Sequence, residues 1–173
     1  MLIILSGLPA TGKTTIARPL ARRIGAAHLR VDTVEQAVVD AGLADHPVGV
    51  IGYTTCHRLA LDQLQVGLSV IADSVNPLEV TRNGWHGVAE AAGTAYLDVE
   101  IVCSDVDGHR RRAEERQIDI PGLTGPDWND ISRREYDPWT TDRVVVDTAN
   151  RDVDECVDQV VAALPSCAAA SDR

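Results

Sequence analysis

The stretch GLPATGKTT, residues 7–15, contains the pattern GxxxxGK[ST] and carries most of the information about the fold. The apolar run LIILS (2–6) before it predicts a buried strand. After it, Ile16, Leu20 and Ile24 recur every four residues, which predicts an amphipathic helix. A phosphate-binding loop needs this context of strand, loop and helix, so we expect the stretch to bind the phosphates of ATP.

Each residue type in the loop suits this role. Gly7 and Gly12 allow the backbone to curl so that successive N–H groups face one concavity. Lys13 is expected to bridge the β- and γ-phosphates, the Thr14 hydroxyl to ligate Mg²⁺, and Thr15 to reach the α-phosphate. The residues predicted to bind the nucleotide here are Gly7, Ala10, Thr11, Gly12, Lys13, Thr14 and Thr15.

Lys13 is also a predicted catalytic residue, and it is the only lysine among the 16 basic residues of the chain. A flexible stem with a compact charge can follow the phosphates, whereas a guanidinium is bulkier and planar. A lone lysine inside the loop therefore indicates a position that arginine cannot fill. The alternative is a chance match at a glycine-rich turn.

Composition argues against several other classes of protein. The 173-residue chain has a formal net charge of −10, whereas binding to a nucleic-acid backbone relies on surface Lys and Arg. No apolar stretch approaches the roughly 18 residues of a membrane span, and we identify no signal peptide. The four cysteines lack the paired spacing of a zinc or redox site. We expect a cytoplasmic protein without a membrane or nucleic-acid partner, and its oligomeric state stays open.

Strand and helix patterns alternate along the chain. Beyond residues 2–6, strands are predicted at about 27–31, 68–73, 94–103 and 144–148, with helices between them. This alternation predicts an α/β fold with a five-stranded parallel sheet between two layers of helices. We expect one domain over residues 1–164 and a flexible tail at 165–173. The Gly- and Pro-rich segment 117–127 predicts a mobile part of a short lid at about 110–137.

Two aspartates follow predicted strands. Ligands of open α/β sheets bind beyond the carboxyl ends of the strands, so Asp32 and Asp73 are candidate site residues. Asp32 is predicted to take the proton of an acceptor hydroxyl, and Asp73 to lie near the acceptor and the metal. The alternatives are a helix N-cap for Asp32, with Glu35 completing a capping box, and a turn-forming role for Asp73.

The arginines of HRRRAEER (109–116) present a similar choice. Arg112 and Arg116 lie one helical turn apart, so both can close over a triphosphate, and both are predicted to be catalytic. The alternative is a solvated face on which neighbouring glutamates balance the charge. The functional interpretation is favoured because a Gly- and Pro-rich flap follows and Arg133 and Arg134 lie beyond it.

Three further arginines are weaker candidates. Arg58 and Arg82 are candidates for contacting the acceptor, although an exposed surface position is favoured for each. Arg151 follows the fifth predicted strand and is expected to stack on the adenine ring. Trp85 is predicted to lie in the core, while Trp128 and Trp139 flank the second half of the lid.

Taken together, GLPATGKTT, VDTVEQ with Asp32, IADSVN with Asp73, and HRRRAEER make the chain resemble small P-loop kinases. That group contains shikimate and gluconate kinases, chloramphenicol phosphotransferase and zeta toxins. The resemblance covers about residues 1–164 and implies a three-layer P-loop NTPase fold. It also implies that the first strand lies centrally beside the third, with Asp32 as base or acceptor ligand and Arg112 and Arg116 as phosphate clamps.

These observations predict an ATP-dependent kinase that uses Mg²⁺ and transfers a phosphoryl group to a small-molecule hydroxyl. A sugar, a nucleoside or an antibiotic would serve as the acceptor. The chain lacks a shikimate-binding glycine motif and the basic surface of a polynucleotide kinase. The alternatives are a polynucleotide 5′-hydroxyl kinase, a toxin-like kinase and a regulatory NTPase.

Overall fold

A computed structural model describes residues 1–165 of the chain. Its five strands are β1 (Leu2–Ser6), β2 (Ala27–Arg30), β3 (Val70–Asp73), β4 (Tyr96–Val102) and β5 (Val144–Asp147). Its seven helices within those residues are α1 (Lys13–Ile24), α2 (Val31–Asp40), α3 (Ile51–Gln65), α4 (Glu79–Ala91), α5 (Val106–Glu115), α6 (Trp128–Ser132) and α7 (Val153–Ala163).

The five strands form one parallel sheet in the order β2-β3-β1-β4-β5. Strand β1 is central and pairs with β3 on one side and β4 on the other. Its five residues are all buried, which explains their uniformly apolar character up to Ser6. The register sets Leu5 opposite Asp73, so the third strand brings its carboxylate to the edge at which the phosphate loop begins.

Two helical layers cover the sheet. Ile3 and Leu5 of β1 pack with residues of α1 and α7, whereas Leu2 and Ile4 pack with residues of α3 and α4. Alternate residues of a strand point to opposite faces, so one five-residue run supplies both halves of the core. Trp85 is fully buried in the second half, as predicted.

The expected fold class, the five parallel strands and the central position of β1 are confirmed. Most of the predicted tail, 166–173, lies outside the described residues. Within residues 1–165, no helix is both long and apolar enough to cross a membrane. The single-domain boundaries and the lid at 110–137 stay predictions, and "lid" below denotes that segment.

Candidate functional site

A cavity of about 1280 Å³ opens beyond the carboxyl ends of the strands. The phosphate loop and the start of α1 form its floor, and the lid residues Arg116 and Arg134 form part of its walls. All strands run parallel, so the residues that follow them converge on this edge. The predicted residues that line the cavity are Ala10, Gly12, Lys13, Thr14, Thr15, Asp32, Asp73, Arg112, Arg116 and Arg151.

The backbone of the phosphate loop requires glycine at two positions. Gly7 has a φ of +140°, and a Cβ atom there would lie 2.2 Å from the carbonyl oxygen of Ile101. Gly12 has a φ of +106° and precedes the first residue of α1. Gly7 and Thr11 do not line the cavity; Thr11 is buried and its hydroxyl donates to the carbonyl of Leu8 at 2.9 Å. Gly7 and Thr11, both predicted to bind the nucleotide, thus contribute to the conformation of the loop rather than to the cavity lining.

Lys13 is buried within the loop that precedes it. Its Nζ donates to the carbonyl oxygens of Gly7 at 2.7 Å and Leu8 at 2.8 Å. Burial lowers the pKa of Lys13 to about 8, while the negative charges of Asp73 and Asp32 oppose the shift. The ammonium is therefore held by two carbonyl groups and can exchange them for phosphate oxygens.

Asp73 is the centre of a hydrogen-bonded group beneath the loop. Its Oδ2 accepts from the Thr14 hydroxyl at 2.7 Å and lies 3.1 Å from Nε2 of His28 and 3.8 Å from Nε of Arg30. Although burial raises the pKa of the Asp73 carboxyl, the hydrogen bond of His28 and the charge of Lys13 hold it below its ordinary value. Asp73 is thus an ionised carboxylate tied to α1 rather than the turn-forming residue of the alternative interpretation.

The donor set around Thr14 and Asp73 suits Mg²⁺. This ion binds oxygen ligands and is commonly held by one or two protein groups together with substrate phosphates and water. Each hydrogen bond that Asp73 forms within residues 1–165 involves Oδ2, which leaves Oδ1 for another ligand. No cluster of three or more acidic, His or Cys side chains suited to a metal occurs within those residues.

Asp32 lies in the first turn of α2 and faces the same cavity as the phosphate loop. The alternative interpretation of Asp32 as an N-cap was wrong, because α2 begins one residue earlier at Val31 and Arg30 occupies the cap position. Neither Asp32 nor Glu35 forms a capping hydrogen bond there. The exposed Asp32 carboxylate is therefore available to a ligand.

Arg112 is linked to the phosphate loop through Thr148, which sequence analysis did not identify. Arg112 donates from Nη1 to the Thr148 hydroxyl at 2.8 Å and from Nη2 to the Thr148 carbonyl at 3.0 Å. The same hydroxyl lies 2.9 Å from the carbonyl oxygen of Thr11. One turn earlier in helix α5, Nε2 of His109 lies 2.8 Å from the carbonyl oxygen of Pro9. The start of the lid is thereby fastened to the loop.

Arg116 and Arg134 also line the cavity, from opposite ends of the lid. Both positive charges lower the pKa of Lys13, so both guanidiniums are near its ammonium. Neither forms a hydrogen bond or ion pair with another residue of the described 1–165 segment, although Arg116 packs closely on Gly125. The sequence placed Arg134 beyond the Gly- and Pro-rich segment 117–127 without assigning it a role, yet it lines the same cavity as Arg116.

Arg58 and Arg82 are corrections to the predicted acceptor site. Arg58 is exposed on α3, and neither residue lines the cavity. Arg82 is only 2% exposed, so it is neither a surface residue nor an acceptor ligand. Its guanidinium donates to the carbonyls of Asn76 (3.1 Å), Pro77 (3.0 Å), Asp137 (2.6 Å) and Pro138 (3.2 Å) and packs on the ring of Trp139 at 4.2 Å. Arg82 therefore anchors the chain just beyond the lid to α4.

Arg151 lines the cavity but is also held by α7. It donates to the Gln159 side chain at 2.6 Å and to the Glu155 carbonyl at 3.0 Å. These bonds orient the guanidinium, while its predicted stacking on adenine stays a prediction.

A further contact crosses the cavity between the lid and the strand ends. Asp119 of the lid forms ion pairs with Arg18 of α1 and with Arg30, whose Nη1 lies 3.1 Å from Asp119 Oδ2. Arg30 is thus shared between Asp119 and Asp73. Sequence analysis could not identify this pair because its members are 89 residues apart.

With this geometry in place, the similarities to known proteins can be interpreted. The profile of the family described as "AAA domain" matches residues 2–120, more than half of the chain. The chain belongs to this AAA domain family. The "Probable adenylyl-sulfate kinase" of Aeropyrum pernix is 26% identical over 175 residues, which cover 91% of this chain and 88% of that protein.

Solved structures share the fold at lower identity. A protein of Chloroflexus aurantiacus provisionally assigned as a kinase aligns with a TM-score of 0.73 at 23% identity, covering 95% of this chain and 98% of its own. The APS kinase of Mycobacterium tuberculosis, solved with AMPPNP and APS, aligns with a TM-score of 0.67 at 20% identity, covering 93% of this chain and 95% of its own. A gluconokinase of Sinorhizobium meliloti aligns with a TM-score of 0.62 at 16% identity, covering 92% of this chain and 89% of its own.

The predicted resemblance to small P-loop kinases is confirmed, because the relative in sequence and the structures that share the fold are described as kinases.

Proposed function

We propose that this AAA-domain kinase transfers the γ-phosphoryl group of ATP to a hydroxyl group of a small molecule, such as a sugar, a nucleoside or an antibiotic. The observation that carries the proposal is that Asp32 lines the same cavity as Lys13 and Thr14 of the phosphate loop. A carboxylate without a structural partner opposite a phosphate site is what transfer to a hydroxyl requires.

In the proposed reaction the acceptor hydroxyl donates a hydrogen bond to the Asp32 carboxylate. The hydroxyl oxygen then forms a bond to the γ-phosphorus as the bond between that phosphorus and the β,γ-bridging oxygen breaks. The hydroxyl proton passes to Asp32 and the electron pair of the broken bond stays with ADP. Asp32 thus orients the acceptor and keeps its proton away from the phosphate oxygens.

Several cationic side chains that line the cavity are assigned to the phosphates. Lys13 exchanges its loop carbonyls for β- and γ-phosphate oxygens, and Arg116 and Arg134 approach the γ-phosphoryl group from the lid. Arg112 and Arg151, which also line the cavity, are assigned to the nucleotide. This arrangement supplies positive charge where negative charge spreads during transfer.

Thr14 and Asp73 would hold Mg²⁺, directly or through water. When bound with ATP, the ion neutralises charge on the β- and γ-phosphates. The part played by the protein is to hold the two oxygen groups 2.7 Å apart, with His28 keeping Asp73 ionised.

The test is a phosphotransfer screen with ATP against sugars, nucleosides, aminoglycoside-like and phenolic antibiotics, adenylyl sulfate and a 5′-hydroxyl oligonucleotide. Detection of a phosphorylated small molecule would support the proposal. ATP hydrolysis without transfer to any acceptor would reject it in favour of a regulatory NTPase. Transfer to the oligonucleotide alone would instead identify a polynucleotide kinase.

A further inference from the structure

From the geometry around Glu35 we infer that this residue is a second acceptor-binding group, which acts beside Asp32 and selects a neutral polyhydroxylated acceptor over an anionic one. The inference rests on the proposed function, because it concerns the acceptor side of the same cavity. It follows from the contacts of α2 and α3 described below.

Glu35 is a half-buried carboxyl group in the cavity wall. It forms no hydrogen bond or ion pair with any residue of the described segment 1–165, nor does Asp32. The two residues are three positions apart in α2, a spacing that brings side chains together on one helix face. A pair of carboxylates without protein donors can accept hydrogen bonds from two hydroxyl groups of one ligand.

Gly52 of α3 makes room for Glu35 and holds it in place. A Cβ atom at position 52 would lie 2.4 Å from Cγ and 2.7 Å from Oε1 of Glu35. Gly52 is buried in the first turn of α3, where glycine is not needed for backbone conformation. Close packing on this glycine keeps the carboxyl group from moving toward α3.

Electrostatics also favour an uncharged acceptor at this wall. Burial and the negative charge of Asp32 raise the pKa of Glu35 to about 7, while Arg134 opposes the shift. Burial raises the pKa of Tyr53 and of Cys56 on the facing helix α3, and the negative charges of Glu35 and Asp32 add to both shifts. An anionic group placed here would therefore meet two carboxylates in a partly desolvated setting.

The nearby cations do not cancel this preference. Arg30 already pairs with Asp73 and Asp119. Arg116 and Arg134 lie near Lys13, where the γ-phosphate of ATP is expected. The acceptor wall consequently combines Asp32 and Glu35 with the loop residues His46, Pro47 and Val48. The guanidinium whose charge reaches Glu35, that of Arg134, also acts on Lys13 and is assigned to the γ-phosphate rather than to the acceptor.

The experiment compares phosphotransfer to an aldose and to its aldonic acid, which differ by one negative charge, and to adenylyl sulfate. Assays are run at pH 8, where Glu35 is mostly ionised. We expect the wild type to prefer the neutral acceptor by about tenfold or more in kcat/KM. Glu35→Gln should narrow that ratio, because it removes one negative charge while keeping the size of the side chain.

Two variants test the position of the carboxyl group. Glu35→Ala should raise the acceptor KM by about tenfold through loss of a hydrogen bond and leave the KM for ATP unchanged. Gly52→Ala should raise it as well, because the new methyl group displaces Glu35. Matched controls are Glu90→Gln, on the exposed face of α4, and Gly87→Ala, where an added Cβ meets nothing within 4 Å. Both controls should resemble the wild type.

The outcomes separate the inference from the proposed function. Transfer that occurs with an unchanged acceptor KM and charge ratio in all three Glu35 and Gly52 variants would overturn the role of Glu35 and leave the kinase proposal standing. A wild-type preference for adenylyl sulfate or the aldonic acid would also overturn it. Absence of transfer to every acceptor would overturn both. Thermal unfolding with and without ATP shows whether each variant is folded before its kinetics are interpreted.

Discussion

The two halves of the cavity differ in how their charged groups are satisfied. On the nucleotide side, Lys13 is held by loop carbonyls and Arg112 by Thr148. On the acceptor side, the side chains of Asp32 and Glu35 form no hydrogen bond or ion pair within residues 1–165. The first half is thus preorganised, whereas the second awaits a ligand to complete it. Ligand specificity is therefore expected to depend on the acceptor half, and five predictions test this contrast in order of expected effect.

The largest effect is expected at Lys13, where the preorganised half meets the transferred group. Lys13→Ala should reduce phosphotransfer by roughly 10³-fold or more, because the γ-phosphate loses its buried cation. Lys13→Arg keeps the charge yet should also fail, since the two carbonyls at 2.7 and 2.8 Å leave no room for a guanidinium. Single-turnover transfer measures the effect, and full activity of either variant would contradict the loop assignment.

Asp32→Asn should reduce transfer by roughly 10²-fold or more and leave ATP affinity nearly unchanged. The amide keeps the shape of the carboxylate but cannot take the proton of the hydroxyl. Asp62→Asn, at an exposed position of α3, is the matched control. Equal loss of ATP binding would show that the two halves are not separable.

Arg134→Ala should reduce kcat by roughly tenfold to 10²-fold, because the guanidinium near Lys13 is expected to contact the γ-phosphoryl group. Arg133→Ala is the control, since Arg133 is exposed and does not line the cavity. Steady-state kinetics distinguish the two. If both substitutions have the same effect, the cation near the phosphate is supplied by another residue.

Arg82→Lys tests whether the segment beyond the lid is fixed independently of the ligand. We expect a loss of about 2 kcal/mol in the free energy of unfolding, because a lysine cannot serve four backbone carbonyls and also cover Trp139. Arg58→Lys on the exposed face of α3 should change it by less than about 0.5 kcal/mol. Urea unfolding gives both values, and equal stability of the two variants would refute the anchor.

The smallest expected effect concerns pH. The pKa of Glu35 is raised from 4.5 to about 7, so between these values the folded state keeps a proton that the unfolded state releases. This residue should therefore lower stability progressively as the pH rises through that window. Glu35→Gln cannot titrate, so its stability relative to the wild type should rise between pH 4.5 and about 7 and then level off. Urea unfolding across this range measures the difference in stability between the two proteins, and a difference that does not change with pH would contradict the prediction.

The nucleotide half was largely predictable from the sequence. Gly7, Gly12, Lys13 and Thr14 are close in the chain, and their loop follows from a buried strand and an amphipathic helix. The place of Asp73 also followed, because β3 pairs with β1 in parallel and Thr14 and Asp73 meet at the strand ends. Short-range geometry and one strand pairing were sufficient for both.

The acceptor half was predicted less well. The alternative interpretation of Asp32 as a helix cap was wrong, because α2 begins one residue earlier, a shift within the usual uncertainty of helix ends. Arg82 was assigned to the acceptor or to the surface, whereas it is buried and donates both to the nearby carbonyl of Pro77 and to the carbonyl of Asp137, 55 residues away. The burial of Arg82 cannot be predicted from local pattern, because Asp137 and Pro138 meet it only in the folded protein.

The linear order of residues was enough to predict the phosphate loop, the parallel α/β fold and the place of Asp73 at the end of a strand, because these depend on local periodicity and on the direction of neighbouring strands. The links between Arg112 and Thr148 and between Arg30 and Asp119 span 36 and 89 residues. Which carboxylates remain unpaired also depends on distant segments of the chain. Burial and pairing at such separations are set by packing, so only the tertiary structure distinguishes a preorganised nucleotide half from an acceptor half that a ligand must complete.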